Sequence, residues 1–415
     1  MATIATLSAK EIKDSRGNPT IEVTCTLAHG ASGTASVPSG ASTGVHEAVE
    51  LRDHDMEHDN GLGVQKAIAH VTNEILTHVQ NKEFSQSTLD HALIELDGTK
   101  NKSRLGANAI LGVSLSFARA CAEEAHVPLY TYIGTIAGTT SFVLPQPFFN
   151  VINGGKHADS GLDIQEFMLV PTGFPTFRAK VQAGTKIIAT LKEQLESKGY
   201  ETTLGDEGGF APKLPKNEDG LSALLKAIEG AGFTTSEVQL GIDVAASSFY
   251  TSGEYVLKHM LGEKKTTSDM VKWYESLVQQ FPIISIEDGL AEDDWDGFRD
   301  MTHRLGGKIQ IVGDDLTVTN IERIQKAIDT HAINAVLIKP NQIGTLTETI
   351  EAVQMTKKQG WRAFVSHRSG ETMDTFIADL AVGLSCECIK AGSLTRPERV
   401  TKYDRLMEIE DELAD

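Results

Sequence analysis

Six short apolar runs recur through the second half of the chain, and each stops on a polar or charged residue. They read VQLGIDVAAS, PIISIEDGL, KIQIVGDDL, AVLIKPN, WRAFVSHRSG and CECIKAG, ending on Asp243, Glu287, Asp314, Lys339, His367 and Lys390. After a first gap of 44 residues, successive ends lie 23 to 28 residues apart, the length of one strand plus one helix. Helical patterns such as TNIERIQKAIDTH (319–331) and TLTETIEAVQMTKKQG (345–360) fill the gaps. Repeated βα units favour an α/β barrel of the TIM type. An open doubly wound sheet is the alternative, but no GxGxxG or phosphate-loop stretch supports it.

Two further strand-like runs come first, PFFNVIN (147–153) and DIQEFMLVP (163–171). The stretch between them, GGKHADSGL, is too short for a parallel crossover with its own helix, so the pair is expected to be antiparallel. If the first strand ends at the barrel's active mouth, the second begins there, which brings His157 and Glu166 to that mouth. Helical stretches at about 174–199 and 217–231 follow, joined by GDEGGFAPKLPKN. The expected order is ββαα(βα)6.

The first third reads as a smaller α+β domain. TIEVTCTLA (20–28) alternates as a strand does, and helical patterns occupy 63–79 and 106–125. Gly-rich TYIGTIAGTTS (131–141) reads as a linker, dividing the chain into 1–136 and 137–415.

A chain of 415 residues with 40% hydrophobic content can bury more than one core. Its net charge of −19 opposes general binding to nucleic acid or an anionic membrane. Any anionic ligand must be held by local cations. Four cysteines, Cys25, Cys121, Cys386 and Cys388, are too few for a disulfide framework, and no run approaches the ~18 apolar residues of a membrane span. The stretch MATIATLSAKEIKDSRG has no long apolar segment, so no secretory leader is expected. A reducing, cytoplasmic setting is the expectation.

In α/β barrels chemistry sits at the carboxyl ends of the strands. Here that end collects Asp243, Glu287 and Asp314, with Lys339 and Lys390 further on. Three carboxylates without histidine or cysteine partners suit a hard divalent cation such as Mg²⁺. Acids after strands also cap helices, and Asp288 and Asp315 can exchange roles with their neighbours on spacing alone. A lysine near a metal and a second lysine is expected to have a lowered pKa and to serve as a base. A structural pairing of Lys339 with a carboxylate is the other reading. In VSHRSGET (365–372), Arg368 and Ser369 precede an expected helix starting near Glu371, a suitable phosphate or carboxylate site, although Ser-Gly is also an ordinary cap. VPSGASTGVHE (37–47) alone reads as a surface loop.

Twelve stretches in order closely resemble the enolases. Among them are DSRGNPTIEV (14–23), VPSGASTG (37–44), NGGKHAD (153–159), QEFMLVP (165–171), GDEGGFAP (205–212), SIEDGL (285–290), GDDLTVTN (313–320), IKPNQIGTLTET (338–349) and IKAGSLTRPER (389–399). The resemblance implies a dehydratase acting on 2-phosphoglycerate to give phosphoenolpyruvate. It implies one Mg²⁺ on Asp243, Glu287 and Asp314, and a second arriving with substrate and involving Ser42. It further implies Lys339 as the base at C2 and Glu207 as the acid at the C3 hydroxyl, assisted by Glu166. Arg368 and Ser369 match phosphate contacts, Lys390 a carboxylate contact and His157 a loop residue near the phosphate. Gln165 and His367 match pocket positions. A homo-oligomer, dimer or octamer, is implied, as are second roles at a cell surface or in an assembly. Lys13 and Pro340 depart from the expected pattern without touching this chemistry.

Two rivals bear on this reading. One is another barrel of the same superfamily, such as a racemase or sugar-acid dehydratase; GDEGGF and SHRSGET argue against it. The other is a binding protein without catalysis, which an assay for phosphoenolpyruvate separates.

Overall fold

The computed structural model describes residues 1–40, 44–257 and 262–414. Strands Ala2–Lys13, Pro19–Leu27 and Ser32–Ser36 form an antiparallel meander, and Glu83–Phe84 adds to the edge of the first. In the central strand Ile21, Val23, Cys25 and Leu27 alternate inward, as the period of two requires. Helix Ala107–Glu124 lies across this sheet and is buried along most of its length.

The expected linker at 131–141 is corrected. Leu129–Ala137 is a helix, closed by Gly138 in the left-handed conformation. Tyr130 and Ile133, three residues apart, bury one face of it, and it packs against helix Phe376–Gly383. The Gly-rich composition hid a helix held by tertiary packing.

The remainder is a closed eight-stranded barrel. Strand Gln146–Asn153 pairs antiparallel with Glu166–Val170, which pairs antiparallel with Gln239–Asp243. Ile283–Glu287, Gln310–Gly313, Ala335–Ile338, Arg362–Ser366 and Cys388–Lys390 follow in parallel, and the last closes on the first. Helices Phe177–Ser197 and Asn217–Gly230 fill the two-helix step. A small antiparallel sheet, Tyr250–Thr251, Glu254–Leu257 and Glu263–Lys265, sits after Gln239–Asp243 and accounts for the long first gap. Strand and helix then alternate to the final helix, Pro397–Ala414. Among the described residues no helix is long and apolar enough to cross a membrane.

Inside the barrel Phe148, Met168, Val312, Leu337, Phe364 and Cys388 form a closed apolar cluster. Side chains two residues apart on a strand share a face. One step beyond this plug, the inward positions are therefore Glu166, Asp314, Lys339, Ser366 and Lys390. A buried strand ends on Lys339 because that register aims its side chain above the plug, at the mouth. Pro340 opens a short helix, Pro340–Ile343, and holds Lys339 extended at φ −126° and ψ 104°. The other departure, Lys13, pairs with Asp59 at the surface.

Candidate active site

His157, Gln165, Glu166, Glu207, Asp243, Asp314, Lys339, His367, Arg368, Ser369 and Lys390 line one cavity at the mouth, together with Asp288 and Asp315. Glu287 is buried at the same level, with its strand partner Asp243 beside it. Ser42 lies outside the described residues.

Lys390 anchors one side. Its Nζ lies 2.8 Å from Glu287 Oε1, 3.2 Å from Glu166 Oε1 and 3.4 Å from Asp243 Oδ2. Burial pulls this ammonium down, but the three acids prevail and hold it well above its ordinary range. Burial and the charge of Asp243 push Glu287 well up despite the lysine. Such crowded carboxylates call for positive charge.

Lys339 anchors the other side, with Nζ 2.5 Å from Asp314 Oδ2. The lowering expected of Lys339 beside a metal is opposed here by its neighbouring acid. Burial, Arg368 and Lys390 each favour the neutral amine, but Asp314 outweighs them and the net shift is upward. Asp314 responds in kind: burial raises it, Lys339 overcomes that, and its carboxyl is held low. The other oxygen, Oδ1, accepts from Gln342 Nε2 at 2.8 Å. Gln342 Oε1 in turn accepts from Thr319 Oγ1, which accepts from the backbone N–H of Lys339 at 2.9 Å. A closed ring of bonds thus orients acid and lysine together.

Asp288 separates itself from the ligand candidates. Its carboxylate oxygens accept from the backbone N–H groups of Asp314 and Asp315 at 2.9 and 2.8 Å. It holds the end of the neighbouring strand. Among the described residues, the ligand atoms that gather within 4.8 Å of one another are those of Asp288, Asp314 and Asp315, and separately His157, Glu166 and Glu207. Asp243 and Glu287 are drawn instead onto Lys390. Burial and the Asp314 charge push Asp315 up to about 8.

Glu166 and Glu207 form a buried carboxyl pair beside two imidazoles. His157 Nδ1 is 3.6 Å from Glu207 Oε1 and 3.9 Å from Glu166 Oε1, and His367 Nε2 is 3.4 Å from Glu207 Oε2. Asn150 Nδ2 donates to Glu207 Oε2 at 2.9 Å. Burial pushes Glu207 up, but His367 and His157 outweigh it and hold the carboxyl well below the usual range. Burial and the charge on Glu207 push Glu166 well above it. The two shifts run in opposite directions because the imidazoles face Glu207 while the charge of Glu207 faces Glu166. Two buried carboxyls with oxygens within 4.8 Å of each other titrate as a pair.

The expected helix start near Glu371 is also corrected. The helix begins at Phe376, and Gly370 instead bridges to Ser39 of the first domain. Glu371 accepts from the backbone N–H groups of Arg368 and Thr372, so its side chain ties this segment to itself. The groups expected to contact an anion are therefore side chains, without a helix N-terminus behind them. Arg368 Nη1 and Nη2 contact Glu47 Oε2 and Oε1 at 2.9 and 3.2 Å, so its fork holds a carboxylate from the first-domain loop. Glu47, Gln342, Asn150 and Arg399 escaped the sequence reading, and Asp288 entered it only as an alternative ligand. Each lies in or beside a quoted stretch, but its partner comes from a distant element.

The four cysteines form no disulfide, and burial pushes Cys25 and Cys388 up to about 12, which keeps them out of this chemistry.

Comparison with protein families agrees with the geometry. The family described as enolase, N-terminal domain, matches residues 4–133, and enolase, C-terminal TIM barrel domain, matches residues 141–415. Both halves match in the order that brings the first-domain loop onto the barrel mouth, and the chain therefore belongs to the enolase family, a lyase of the enolase type.

Proposed function

We propose that the chain dehydrates 2-phospho-D-glycerate reversibly to phosphoenolpyruvate and water, with Lys339 as base and the Glu166–Glu207 pair as acid. The observation that carries this reading is their opposition. In the ring of eight strands, Ala335–Ile338 and Glu166–Val170 stand four places apart, on opposite walls of one cavity. A group held between them meets an amine on one side and a carboxyl on the other. The C2 proton leaves to Lys339 Nζ. The C3 hydroxyl takes a proton from the carboxyl pair and departs as water, which a poor leaving group requires.

The oxygen-only set Asp243, Glu287 and Asp314 fits a hard divalent cation, and the crowding that holds Glu287 up supports a charge there. Mg²⁺ on these residues, with a second ion at Ser42, would stabilise the dianion created at the substrate carboxylate when C2 loses its proton. A Lys or His base used with one or two Mg²⁺ is the known pattern of enolase-superfamily sites. The protein's own residues prepare the base. With Asp314 and Glu287 otherwise engaged, Lys339 keeps burial, Arg368 and Lys390 as its influences, and all three favour the neutral amine. Arg368 and Ser369 offer cationic and hydroxyl contacts to the phosphate, and Lys390 to the carboxylate. Gln165, His157 and His367 line the remaining wall.

A homo-oligomeric assembly and a cytoplasmic location in glycolysis or gluconeogenesis belong to the same proposal, and solution mass tests the first. An absorbance assay for phosphoenolpyruvate, run from 2-phosphoglycerate with Mg²⁺ and again with chelator, tests the reaction. Turnover abolished by chelator supports it; no turnover at any Mg²⁺ concentration contradicts it.

A further inference from the structure

Arg399 is fully buried near the start of helix Pro397–Ala414, and its guanidinium reaches under the site. Nη1 donates to His367 Nδ1 at 2.5 Å and to the Arg368 carbonyl at 2.6 Å. Nη2 donates to the carbonyls of Ser369 at 2.7 Å and Asp206 at 3.2 Å. A guanidinium carries donors only and does not give up its proton in a protein. His367 Nδ1 must then be the acceptor, which leaves the ring proton on Nε2. That nitrogen lies 3.4 Å from Glu207 Oε2 and has no closer partner among the described residues.

We propose that Arg399 is a positioning residue which locks His367 as its Nε2–H tautomer and aims that N–H at Glu207 Oε2. A donor facing Glu207 Oε2 fixes that carboxyl from one side, as Asn150 Nδ2 does from another. With the opposite tautomer a lone pair would face the carboxylate oxygen, which repels it and loosens the carboxyl. Burial holds His367 at about 4, so the ring is neutral near pH 7 and the tautomer is a real variable there. The contacts to the Asp206, Arg368 and Ser369 carbonyls tie the segment carrying Glu207 to the segment carrying the anion contacts. The functional half of this inference rests on the acid role proposed for the carboxyl pair; the tautomer itself does not.

The test is imidazole nitrogen NMR on the full chain labelled with ¹⁵N-histidine, with His367 assigned through His367→Gln. The expected spectrum near pH 7 has the His367 proton on Nε2 and a bare Nδ1. Arg399→Lys, which also only donates, keeps that tautomer and most of the activity. Arg399→Gln, whose amide can accept, gives a mixture of tautomers and lowers kcat by about tenfold or more with little change in KM. A proton on Nδ1 in the unsubstituted chain overturns the proposal, and that measurement needs no variant to fold. An unchanged tautomer in folded Arg399→Gln overturns it as well. The expected tautomer in a chain that does not turn over 2-phosphoglycerate leaves the Arg399 assignment standing and removes the proposed reaction.

Discussion

Lys339 and Asp314, on neighbouring strand ends, form an ion pair of 2.5 Å that keeps the amine charged. The same acid is the third member of the carboxylate set proposed for the cation. One residue thus serves as partner to the base and as candidate ligand, and the two uses compete. A base that is charged when its acid partner is free, and pushed toward neutrality when that partner is engaged, becomes active only in the assembled site. The ring through Gln342 and Thr319 keeps this competition geometrically fixed.

Asp288 supports that geometry from behind. Asp288→Asn keeps one carbonyl acceptor for two backbone N–H groups and releases the end of the strand bearing Asp314. The expected outcome is Mg²⁺ affinity about 10- to 100-fold weaker with the fold retained, the usual cost of losing an orienting partner. Isothermal titration of the variant with MgCl₂ measures it. Unchanged affinity would show that the carboxylates need no such support.

The two domains are joined by a bidentate pair. Arg119 Nη1 and Nη2 lie 2.7 Å from Asp374 Oδ2 and Oδ1, and Asp374 is almost wholly buried. Burial raises this carboxyl, but Arg119 prevails and holds it low. Arg119→Ala leaves a buried acid without its charge partner, for an expected loss of about 3 kcal/mol. Denaturant unfolding at pH 7 measures it, and a loss below about 1 kcal/mol would place the joint elsewhere.

Acid should act on His367. The unfolded chain binds a proton at this ring near pH 6.5, whereas burial keeps the folded ring neutral down to about 4. Unfolding therefore gains progressively as pH falls through that window, by about 3 kcal/mol from this group alone. In His367→Gln that component is absent, so the stability curves of the two proteins should converge on acidification. Parallel curves between pH 6.5 and 4 would contradict the shift.

Most of the barrel was legible because each strand is an apolar run that must stop where it meets the mouth. The antiparallel start was legible from the brevity of GGKHADSGL, and the site from the groups standing at strand ends. What escaped depends on chain meeting chain. The helix Leu129–Ala137 is held by Phe376–Gly383, far along the sequence, and its own composition resembles a linker. The delayed helix at Phe376 follows from Ser39 pairing with Gly370 across the domain boundary. The charge on Lys339 and the opposite shifts of Glu166 and Glu207 are set by neighbours on other elements. Spacing identifies such residues but not their protonation.

The most direct test of the account follows the C2 proton itself. 2-Phosphoglycerate deuterated at C2 is incubated with Mg²⁺ and the unsubstituted chain, Lys339→Ala or Glu207→Gln, and loss of deuterium to water is followed beside phosphoenolpyruvate formation. Lys339→Ala should lose both exchange and turnover by at least about 10³-fold, while Glu207→Gln should retain measurable exchange and lose turnover. Exchange persisting in Lys339→Ala, or lost equally in both variants, would contradict the assignment of Lys339 as the base opposite the carboxyl pair.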